Sequence, residues 1–538
     1  MPSVAERMVD ALRQLGVRYV FGIPSGPWIS YMEAMRTGDV EFVLVSNEAS
    51  AGFMADTCAR LTGVPGACYG TFGPGATNLS TGVGGGLLDR SPLLAFTTEA
   101  PASMNGRTLQ MAIDHQALFA PLTKWTTRLK ADSVRATIFE AALVASSEVP
   151  GPVHIGLPAD IGEMESGQDE AIPKRPSPAA PPSLERLEEF EAIVASARRP
   201  VLAVGLTAMR AGAGSMIVAV AERHRLPVVL TPMAKGLVPE DHPSYAGVLF
   251  HALSDRVAET HRQADLVIGL GYDPIEFNYE DWMPPVPLAH VDTVPADIDK
   301  SSYTVACDVV GDIHPALNRL MHMAPLGSEW DLDALARRRA QMFDALQPPV
   351  EPSFGPRAAL ALLREALPSD GIMTCDVGAH THLIGQQWRT PGPGLQIMTN
   401  GWSSMGFGIP SAIAAKLCRP DLQVACVTGD GGFLMMVGEM ATALRLGVHV
   451  VFVLLTDRTL ELIRLKQERK GRPNYGTILH GSRYESATTF FGVPVIPAHD
   501  SGSLRSALRE AFAAEGPVIV ETFIDGSEYG DLILKRHK

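Results

Sequence analysis

The sequence predicts an α/β protein made of three consecutive open domains, each with a parallel sheet flanked by helices. Short apolar runs alternate with longer amphipathic ones along the chain, the pattern of strands joined by helical crossovers. A chain of 538 residues has room for about three domains of roughly 150 residues. Two proline-rich stretches, 166–183 and 347–357, read as linkers and leave segments 1–165, 184–346 and 358–538.

The first segment begins with a helix and continues with strands. Apolar residues on one helical face predict a helix over 1–15. Apolar runs at 19–23 and 42–45 predict strands, and the small residues of 49–61 predict a helix. This order predicts the start of a parallel sheet.

The other two segments show the same alternation. In the middle segment, 200–205 and 266–271 are buried-strand candidates that end in glycine. In the third, 372–375 predicts a strand that runs into a loop with Asp376. All three segments therefore have the same fold class.

The third segment contains a glycine turn between two predicted strands. The turn consists of Gly429, Asp430, Gly431 and Gly432. It follows the apolar run 424–427 and precedes a predicted helix at 433–446. A strand at 448–455 leads into Asp457, 27 positions after Asp430 (457 − 430). The carboxyl ends of parallel strands adjoin where ligands bind, so the two carboxylates are expected side by side.

Oxygen ligands and backbone amides suit Mg²⁺ bridging a diphosphate. The spacing resembles the motif of thiamine diphosphate (ThDP) enzymes, in which Gly-Asp-Gly is followed, one helix and one strand later, by Asn or Asp. The resemblance implies that Asp430, Asp457 and the backbone carbonyl of Thr459 bind Mg²⁺. It also implies that Gly429, Gly431 and Gly432 bind the cofactor. The usual residue at 457 is Asn, so Asp457 departs from the family by adding a charge.

A second set of motifs, in the first segment, resembles the same family. Glu48 follows a predicted strand and opens a helix. The resemblance implies that Glu48 activates ThDP through its aminopyrimidine ring. The alternative is an acidic residue at a helix N-terminus, which the helix dipole favours. The resemblance places further cofactor-binding residues here: Ser25, Gly26, Gly75 and Asn78.

Met405 lies in a segment that is similar to the family loop that holds ThDP bent. The resemblance gives Met405 the role of the apolar support and the carbonyl of Ser403 that of acceptor for the 4′-amino group. The alternative for Met405 is a core methionine. The loop 376–380 is similar to the diphosphate-side loop, with Gly378 and His380 at the cofactor. A hydrogen-bonded loop histidine is an equal alternative for His380.

The family is that of the ThDP-dependent 2-oxo acid decarboxylases and carboligases, with the acetolactate (acetohydroxyacid) synthases as the nearest branch. Residues 271–277 and 296–299 look most like the catabolic acetolactate synthases, which lack FAD, so FAD is not expected. The resemblance implies decarboxylation of a pyruvate-like 2-oxo acid and carboligation of the resulting enamine to a second carbonyl. It also implies a homodimer or homotetramer whose active sites combine Glu48 of one subunit with Asp430 of another.

Two positions depart from the acetolactate synthases. The family has Gln thirteen residues before the lysine that matches Lys124, where this chain has Met111 (124 − 13 = 111). Gln110 or Gln116 is expected to take that role, or the role is absent. Lys466 stands where synthases carry Trp or Gln in the acceptor pocket. It either binds an anionic acceptor other than plain pyruvate or faces solvent, as most helical charges do.

Other activities stay open on the residues alone. They are simple decarboxylation, cleavage of a 2-hydroxyacyl or oxalyl thioester, and condensation with an amine-bearing acceptor, as in a carboxyethylarginine-synthase-like enzyme. A dinucleotide oxidoreductase is disfavoured because 269–271 lacks the last glycine of G-x-G-x-x-G. A silent regulator would be expected to have lost Glu48 or a metal ligand.

Composition excludes several classes of partner. The net charge is −14 (45 − 59) with no long basic run, which argues against nucleic acid or an anionic membrane. Six cysteines without metal-ligand spacing are typical of a reduced compartment. No apolar run has the length of a membrane span. The sequence therefore predicts a cytoplasmic protein.

Overall fold

The computed structural model describes residues 1–104, 107–168, 170–276, 285–349, 354–480 and 486–533. Three open sheets follow one another along the chain, and their strands pair in parallel except for one short pair in the third sheet. The predicted fold class is therefore confirmed. Residue 169 of the first predicted linker, residues 350–353 of the second, and residue 277 of the family-like segment 271–277 lie outside the described residues. Among the described helices, none is both long enough and apolar enough to cross a membrane.

The first sheet lies between residues 19 and 158. Its strands are β1 (Tyr19–Gly22), β2 (Glu41–Leu44), β3 (Gly66–Gly70), β4 (Leu93–Glu99), β5 (Trp125–Arg128) and β6 (Pro152–Pro158). They lie in the order β2-β1-β3-β4-β6-β5. The accompanying helices are α1 (Val4–Gln14), α2 (Ile29–Thr37), α3 (Glu48–Thr62), α4 (Pro74–Leu88), α5 (His115–Phe119) and α6 (Val134–Ser146). The helices predicted at 1–15 and 49–61 are confirmed as α1 and α3.

The middle sheet lies between residues 200 and 310. Its strands are β7 (Pro200–Val204), β8 (Val228–Leu230), β9 (Tyr245–Val248), β10 (Leu266–Leu270), β11 (Leu288–Asp292) and β12 (Val305–Val310). They lie in the order β12-β11-β10-β7-β8-β9. The accompanying helices are α7 (Leu184–Ser196), α8 (Leu206–Arg210), α9 (Gly214–His224), α10 (Ser254–Gln263), α11 (His314–His322) and α12 (Leu332–Ala345). Every residue of β7 and β10 is buried, as their apolar runs predict.

The third sheet contains the glycine turn. Its strands are β13 (Ile372–Cys375), β14 (Gln396–Ile397), β15 (Val424–Gly429), β16 (Val451–Thr456), β17 (Thr489–Phe490), β18 (Val493–Ala498) and β19 (Val518–Phe523). They lie in the order β14-β13-β15-β16-β19-β18-β17, with β17 antiparallel to β18. The accompanying helices are α13 (Pro356–Ala366), α14 (Ala379–Gln387), α15 (Gly408–Cys418), α16 (Asp430–Met436), α17 (Glu439–Leu446), α18 (Glu461–Arg469), α19 (Ser501–Ala513) and α20 (Tyr529–Ile533).

One hydrophobic core joins the first and third sheets. Helix α3 packs along α15, where the Phe53 and Phe407 rings meet with their centroids 5.5 Å apart and their planes at 71°. Gly52 lets α4 approach α3, because a Cβ at Gly52 would lie 2.6 Å from Gly82 Cα. Burial of each of these phenylalanine side chains stabilises the folded state by about 1.5–3 kcal/mol. This packing fixes the position of α3, and with it Glu48.

The predicted helix over 433–446 is wrong in one respect, because the structure divides it into α16 and α17. The break falls at Gly438, where a Cβ would lie 3.0 Å from the Ser46 Cβ. Glu439 then accepts hydrogen bonds from the backbone N–H groups of Ser46 (3.0 Å) and Asn47 (3.2 Å). The break therefore coincides with contacts from the first domain, which sequence periodicity does not report.

Candidate active site

Two carboxylates meet at the carboxyl ends of the neighbouring strands β15 and β16. Asp430 directly follows β15 and Asp457 directly follows β16. The parallel register pairs Gly429 with Leu455, so the two strand ends are level. Asp430 Oδ2 accepts a hydrogen bond of 2.7 Å from the Arg458 N–H. This bond ties the glycine turn to the segment that carries the second carboxylate.

The surroundings of the two carboxylates disfavour their ionised forms, which a bound divalent cation would stabilise. Burial raises the pKa of Asp430 to about 6. The pKa of Asp457 is raised to about 8, first by burial and then by the negative charge of Asp430. The Thr459 N–H donates to Asp457 Oδ1 at 3.1 Å, which holds the Thr459 backbone close by. A divalent cation would favour both ionised forms, and carboxylate and carbonyl oxygens are the ligands that Mg²⁺ prefers.

A cavity of about 150 Å³ lies beside these carboxylates. Many predicted cofactor and metal residues line it together: Gly378, His380, Met405, Gly429, Asp430, Gly431, Gly432, Asp457 and Thr459. Side chains from the start of α18 and Tyr529 of α20 complete the wall. The structure thus brings the third-segment motifs to one place.

His380 lies in the cavity wall, in the first turn of α14. The side chain is buried, and among the described residues its Nε2 atom has no hydrogen-bond partner. Burial lowers the pKa of His380 to about 4, so the ring is neutral at pH 7. A Cβ on Gly429 would lie 3.3 Å from His380 Cε1, which places the ring against the glycine turn. A diphosphate oxygen fits the missing partner, since buried polar atoms are normally hydrogen-bonded.

Met405 also reaches the glycine turn. A Cβ on Gly431 would lie 2.9 Å from Met405 Cε and 2.9 Å from Leu460 Cδ2. The absence of a side chain at Gly431 therefore leaves the space that Met405 occupies. Ser403 is exposed, has φ +48°, and does not line the cavity. The role of its carbonyl stays a prediction.

Asp376 was missing from the predicted site residues, although it holds three parts of the site together. Its carboxylate accepts hydrogen bonds from Val377 N–H (2.6 Å), Gly406 N–H (2.8 Å) and Thr428 Oγ1 (3.1 Å). A Cβ on Gly432 would lie 2.6 Å from Asp376 Oδ2. Burial raises the pKa of Asp376 to about 6. The available sequence signal was an aspartate directly after a buried strand.

The first domain presents a second group of predicted residues. Glu48 is the first residue of α3 and is only 6% exposed. Its Oε2 accepts a hydrogen bond of 3.1 Å from Asn78 Nδ2. A Cβ on Gly75 would lie 3.3 Å from Glu48 Oε1. The structure therefore places Glu48, Gly75 and Asn78 in one cluster with a buried carboxylate.

Ser25 and Gly26 lie on the same edge of the first sheet as this cluster. They follow β1, Glu48 follows β2, and Gly75 follows β3, and these three strands are neighbours. Ser25 Oγ lies 2.7 Å from the Tyr69 hydroxyl oxygen. Ligands bind at such edges, so the position of Ser25 and Gly26 fits their predicted role, which stays a prediction.

Within one chain the two clusters are separate. Among the described residues of the first domain, none lines the cavity at Asp430. The start of α3 instead contacts the other end of α16, where Ser50 Oγ lies 3.2 Å from Met436 Sδ. Next to it, Glu439 is fully buried, and burial raises its pKa. Glu439 is a further residue that sequence reasoning missed, and it ties the first domain to the third.

The glutamine candidates are in different environments. Gln116 donates through Nε2 to Glu99 Oε1 (2.6 Å) and accepts through Oε1 from Thr126 Oγ1 (2.7 Å). Gln110 is exposed. Met111 has φ +61°, and a Cβ on Gly73 would lie 2.5 Å from its carbonyl oxygen. The segment thus lies on the loop that leads to Gly75, and the role of either glutamine stays a prediction.

Lys466 is exposed on α18 and does not line the cavity. It is nevertheless near the site wall. The pKa of His382 is lowered to about 4, first by burial and then by the positive charge of Lys466. His382 lies on α14, two residues after His380. The acceptor role of Lys466 stays a prediction.

Comparison with known proteins matches each domain to a family model. Residues 2–118 match the N-terminal thiamine pyrophosphate (ThDP) binding domain of thiamine pyrophosphate enzymes. Residues 187–320 match the central domain of these enzymes. Residues 376–522 match their C-terminal thiamine pyrophosphate binding domain. The matches follow the order of the three sheets.

Similar curated proteins extend over nearly the whole chain. The acetolactate synthase large subunit of Parasynechococcus marenigrum is 30% identical over 98% of this chain and 88% of its own length. The acetolactate synthase of Bacillus subtilis is 28% identical over 97% and 93%. The acetolactate synthase isozyme 1 large subunit of Escherichia coli is 29% identical over 97% and 94%. The chain therefore belongs to the thiamine pyrophosphate enzyme family and is a ThDP-dependent enzyme similar to acetolactate synthases.

Proposed function

We propose that this enzyme uses ThDP and Mg²⁺ to decarboxylate a pyruvate-like 2-oxo acid and to join the two-carbon fragment to a second carbonyl compound. The observation that carries the proposal is the single cavity that holds Asp430, Asp457 and the unpartnered His380 Nε2. Similarity to acetolactate synthases over 97–98% of the chain supports the substrate class.

Bound ThDP supplies a nucleophilic carbon and accepts the electron pair that remains when CO₂ departs. Asp430, Asp457 and the Thr459 carbonyl would hold Mg²⁺, which would neutralise the negative charge of the diphosphate. His380 Nε2 would donate a hydrogen bond to a diphosphate oxygen. Met405 would support the bent cofactor from its position against the turn. The carboxylate of Glu48 would exchange a proton with the aminopyrimidine nitrogen.

We further propose that each active site is shared by two subunits. Glu48 and the Asp430 cavity are both formed in the single chain, but none of the first-domain residues that the structure describes lines that cavity. A two-fold symmetric dimer can bring the Glu48 edge of one chain to the Asp430 edge of its partner and produces two equal sites. This arrangement predicts complementation between two inactive variants.

The test mixes Glu48→Gln with Asp430→Asn by co-expression. Each variant alone should be inactive. A mixed dimer has one site with both changes and one with neither, and random mixing makes half of the dimers mixed, so activity should return to about a quarter of wild type. If each chain formed its own site, the mixture would stay inactive.

Contacts in the middle domain argue against binding of FAD there. Glu276 is buried and accepts a hydrogen bond of 2.8 Å from the Leu206 N–H, at the start of α8 directly after β7. A Cβ on Gly205 would lie 2.4 Å from Glu276 Oε2. In dinucleotide-binding sheets this strand-to-helix turn receives a phosphate. Here a carboxylate fills that place, so we propose that no flavin dinucleotide binds there. A flavin absorbance from purified, denatured protein would contradict this.

The substrates are tested by NMR of products from purified protein with ThDP, Mg²⁺ and pyruvate. Acetolactate is expected if pyruvate serves as both donor and acceptor. Acetaldehyde with CO₂ would show decarboxylation without carboligation. Turnover only after addition of another acceptor would identify a different second substrate, for which Lys466 is the residue to vary.

A further inference from the structure

Two cysteines from distant parts of the sequence meet at the carboxyl-terminal halves of α3 and α15. Cys58 Sγ and Cys418 Sγ lie 2.9 Å apart, although 360 positions separate them. Cys58 lies in α3, and Cys418 is the last residue of α15. The two helices pack along each other, and their packing includes the Phe53 and Phe407 rings. Two buried helices, rather than flexible loops, therefore hold the sulfur atoms together.

The sulfur pair is open to small molecules. A surface cavity of about 50 Å³ is lined by both Cys58 and Cys418, with Arg18 and Tyr19 beside them. Cys58 is 8% exposed, whereas Cys418 is partly exposed. A space of this size admits a molecule comparable to one or two waters. The site therefore has room for a small hydroperoxide.

The two thiols differ in reactivity. The pKa of Cys418 is lowered, first by the hydrogen bond with the Cys58 thiol and, against the opposing effect of burial, by the positive charge of Arg18. The same hydrogen bond, together with burial, raises the pKa of Cys58. The thiolate is the reactive form of cysteine. Cys418 is thus the thiol that reacts first, and Cys58 is the one placed to attack it afterwards.

We propose that Cys58 and Cys418 form an oxidative modification site, at which hydrogen peroxide converts the two thiols into a reversible disulfide. The Cys418 thiolate attacks one peroxide oxygen, the O–O bond breaks, and water leaves once the departing oxygen takes up protons. The Cys58 sulfur then attacks the sulfenic sulfur of Cys418. The S–S bond forms, the S–O bond breaks, and the Cys58 proton leaves with the hydroxide as a second water. Two thiols are oxidised and one peroxide is reduced to two waters.

The other four cysteines lack this arrangement. They are Cys68, Cys307, Cys375 and Cys426, all buried and all described. Cys375 and Cys426 come nearest to forming a second pair, because they lie on the neighbouring strands β13 and β15. The register pairs Thr374 with Cys426, and Cys375 with Val427. Cys375 and Cys426 therefore point to opposite faces of the sheet.

The crosslink would join elements on which the site depends. Helix α3 begins at Glu48, and α15 begins at Gly408, three positions after Met405 (408 − 405). Oxidation would fix the first domain to the third within a chain. The chemistry at the sulfur pair needs neither cofactor nor substrate, so it can be tested separately from the proposed function.

The experiment treats the full-length protein with hydrogen peroxide, removes the excess with catalase, and alkylates all remaining thiols after denaturation. Intact mass should show that the alkylated thiols fall from six to four (6 − 2). Peptide mapping without reductant should find Cys58 joined to Cys418, and dithiothreitol should restore six. In Cys418→Ala all five remaining thiols (6 − 1) should stay alkylated. The matched control Cys307→Ala should fall from five to three and keep the crosslink.

Three outcomes would overturn the proposal. The first is six alkylated thiols after peroxide treatment. The second is a crosslink that maps to other cysteines. The third is Cys418 in the sulfinic form with Cys58 still alkylated, which would mean that the second thiol does not reach the first. The wild-type mapping decides the matter even if an alanine variant folds poorly.

Discussion

Replacing Gly432 with alanine tests how the glycine turn is assembled. The added Cβ would lie 2.6 Å from Asp376 Oδ2 and 2.8 Å from its Cγ. An ordinary contact begins at 3.4 Å, so the carboxylate must retreat by 0.8 Å (3.4 − 2.6). That movement strains its hydrogen bonds to Gly406 N–H and Thr428 Oγ1. Since Gly406 adjoins Met405, the effect should reach the cavity.

Overpacking of this kind lowers the free energy of unfolding by about 1–3 kcal/mol. Alanine within a helix raises it by up to about 1 kcal/mol relative to glycine. The net expectation for Gly432→Ala is therefore a loss of about 1 kcal/mol in the free energy of unfolding and a drop in ThDP affinity on the order of tenfold. The matched control is Gly516→Ala, because a Cβ there would meet no atom within 4 Å. That change should be neutral or stabilise the protein by about 0.4–1 kcal/mol.

The assay is urea unfolding of the cofactor-free protein, followed by tryptophan fluorescence, together with titration of ThDP in the presence of Mg²⁺. Gly431→Ala is an intermediate case. Its Cβ would meet only the flexible ends of Met405 and Leu460, at 2.9 Å. It should therefore lose cofactor affinity with little loss of stability. If the free energies of unfolding of Gly432→Ala and Gly516→Ala differed by less than about 0.5 kcal/mol, the tight fit between Asp376 and the turn would be refuted.

Acid should destabilise the folded protein because burial lowers the pKa of His261 to about 4. As the pH drops from about 6.5 to 4, the unfolded state takes up a proton that the folded state does not, so the free energy of unfolding falls. In urea unfolding, His261→Leu should reduce this slope by about 1.4 kcal/mol per pH unit, and an unchanged slope would contradict the reasoning. Arg90→Met should lower the free energy of unfolding by about 3 kcal/mol, because the buried Asp273 carboxylate loses hydrogen bonds of 2.7 and 2.9 Å. In a double-mutant cycle, adding Asp273→Leu should recover most of this stability. Lys466→Gln should lower kcat/KM on the order of tenfold for an anionic acceptor and leave kcat/KM for a neutral aldehyde acceptor unchanged. Equal changes in kcat/KM for the two acceptors would exclude a role of Lys466 in the acceptor pocket.

Local signals in the sequence were sufficient for the fold class and for the proximity of Asp430 and Asp457. Apolar runs that end in glycine or aspartate identify buried parallel strands, and such strands end at one edge of a sheet. Asp430 and Asp457 therefore had to lie near each other once their strands were neighbours. Asp376 could have been found by the same logic, because it directly follows the buried strand β13.

The placement of the domains against one another was decided only by the tertiary structure. Periodicity predicts one helix over 433–446, but the approach of Ser46 to Gly438 breaks it. The same contact buries Glu439, and the packing of α3 on α15 brings Cys58 to Cys418. These effects depend on distances between segments hundreds of residues apart, which local patterns do not encode. The sequence by itself determined the fold class and predicted which groups are candidates for the site, whereas the packing of three domains decided which of them meet within one chain.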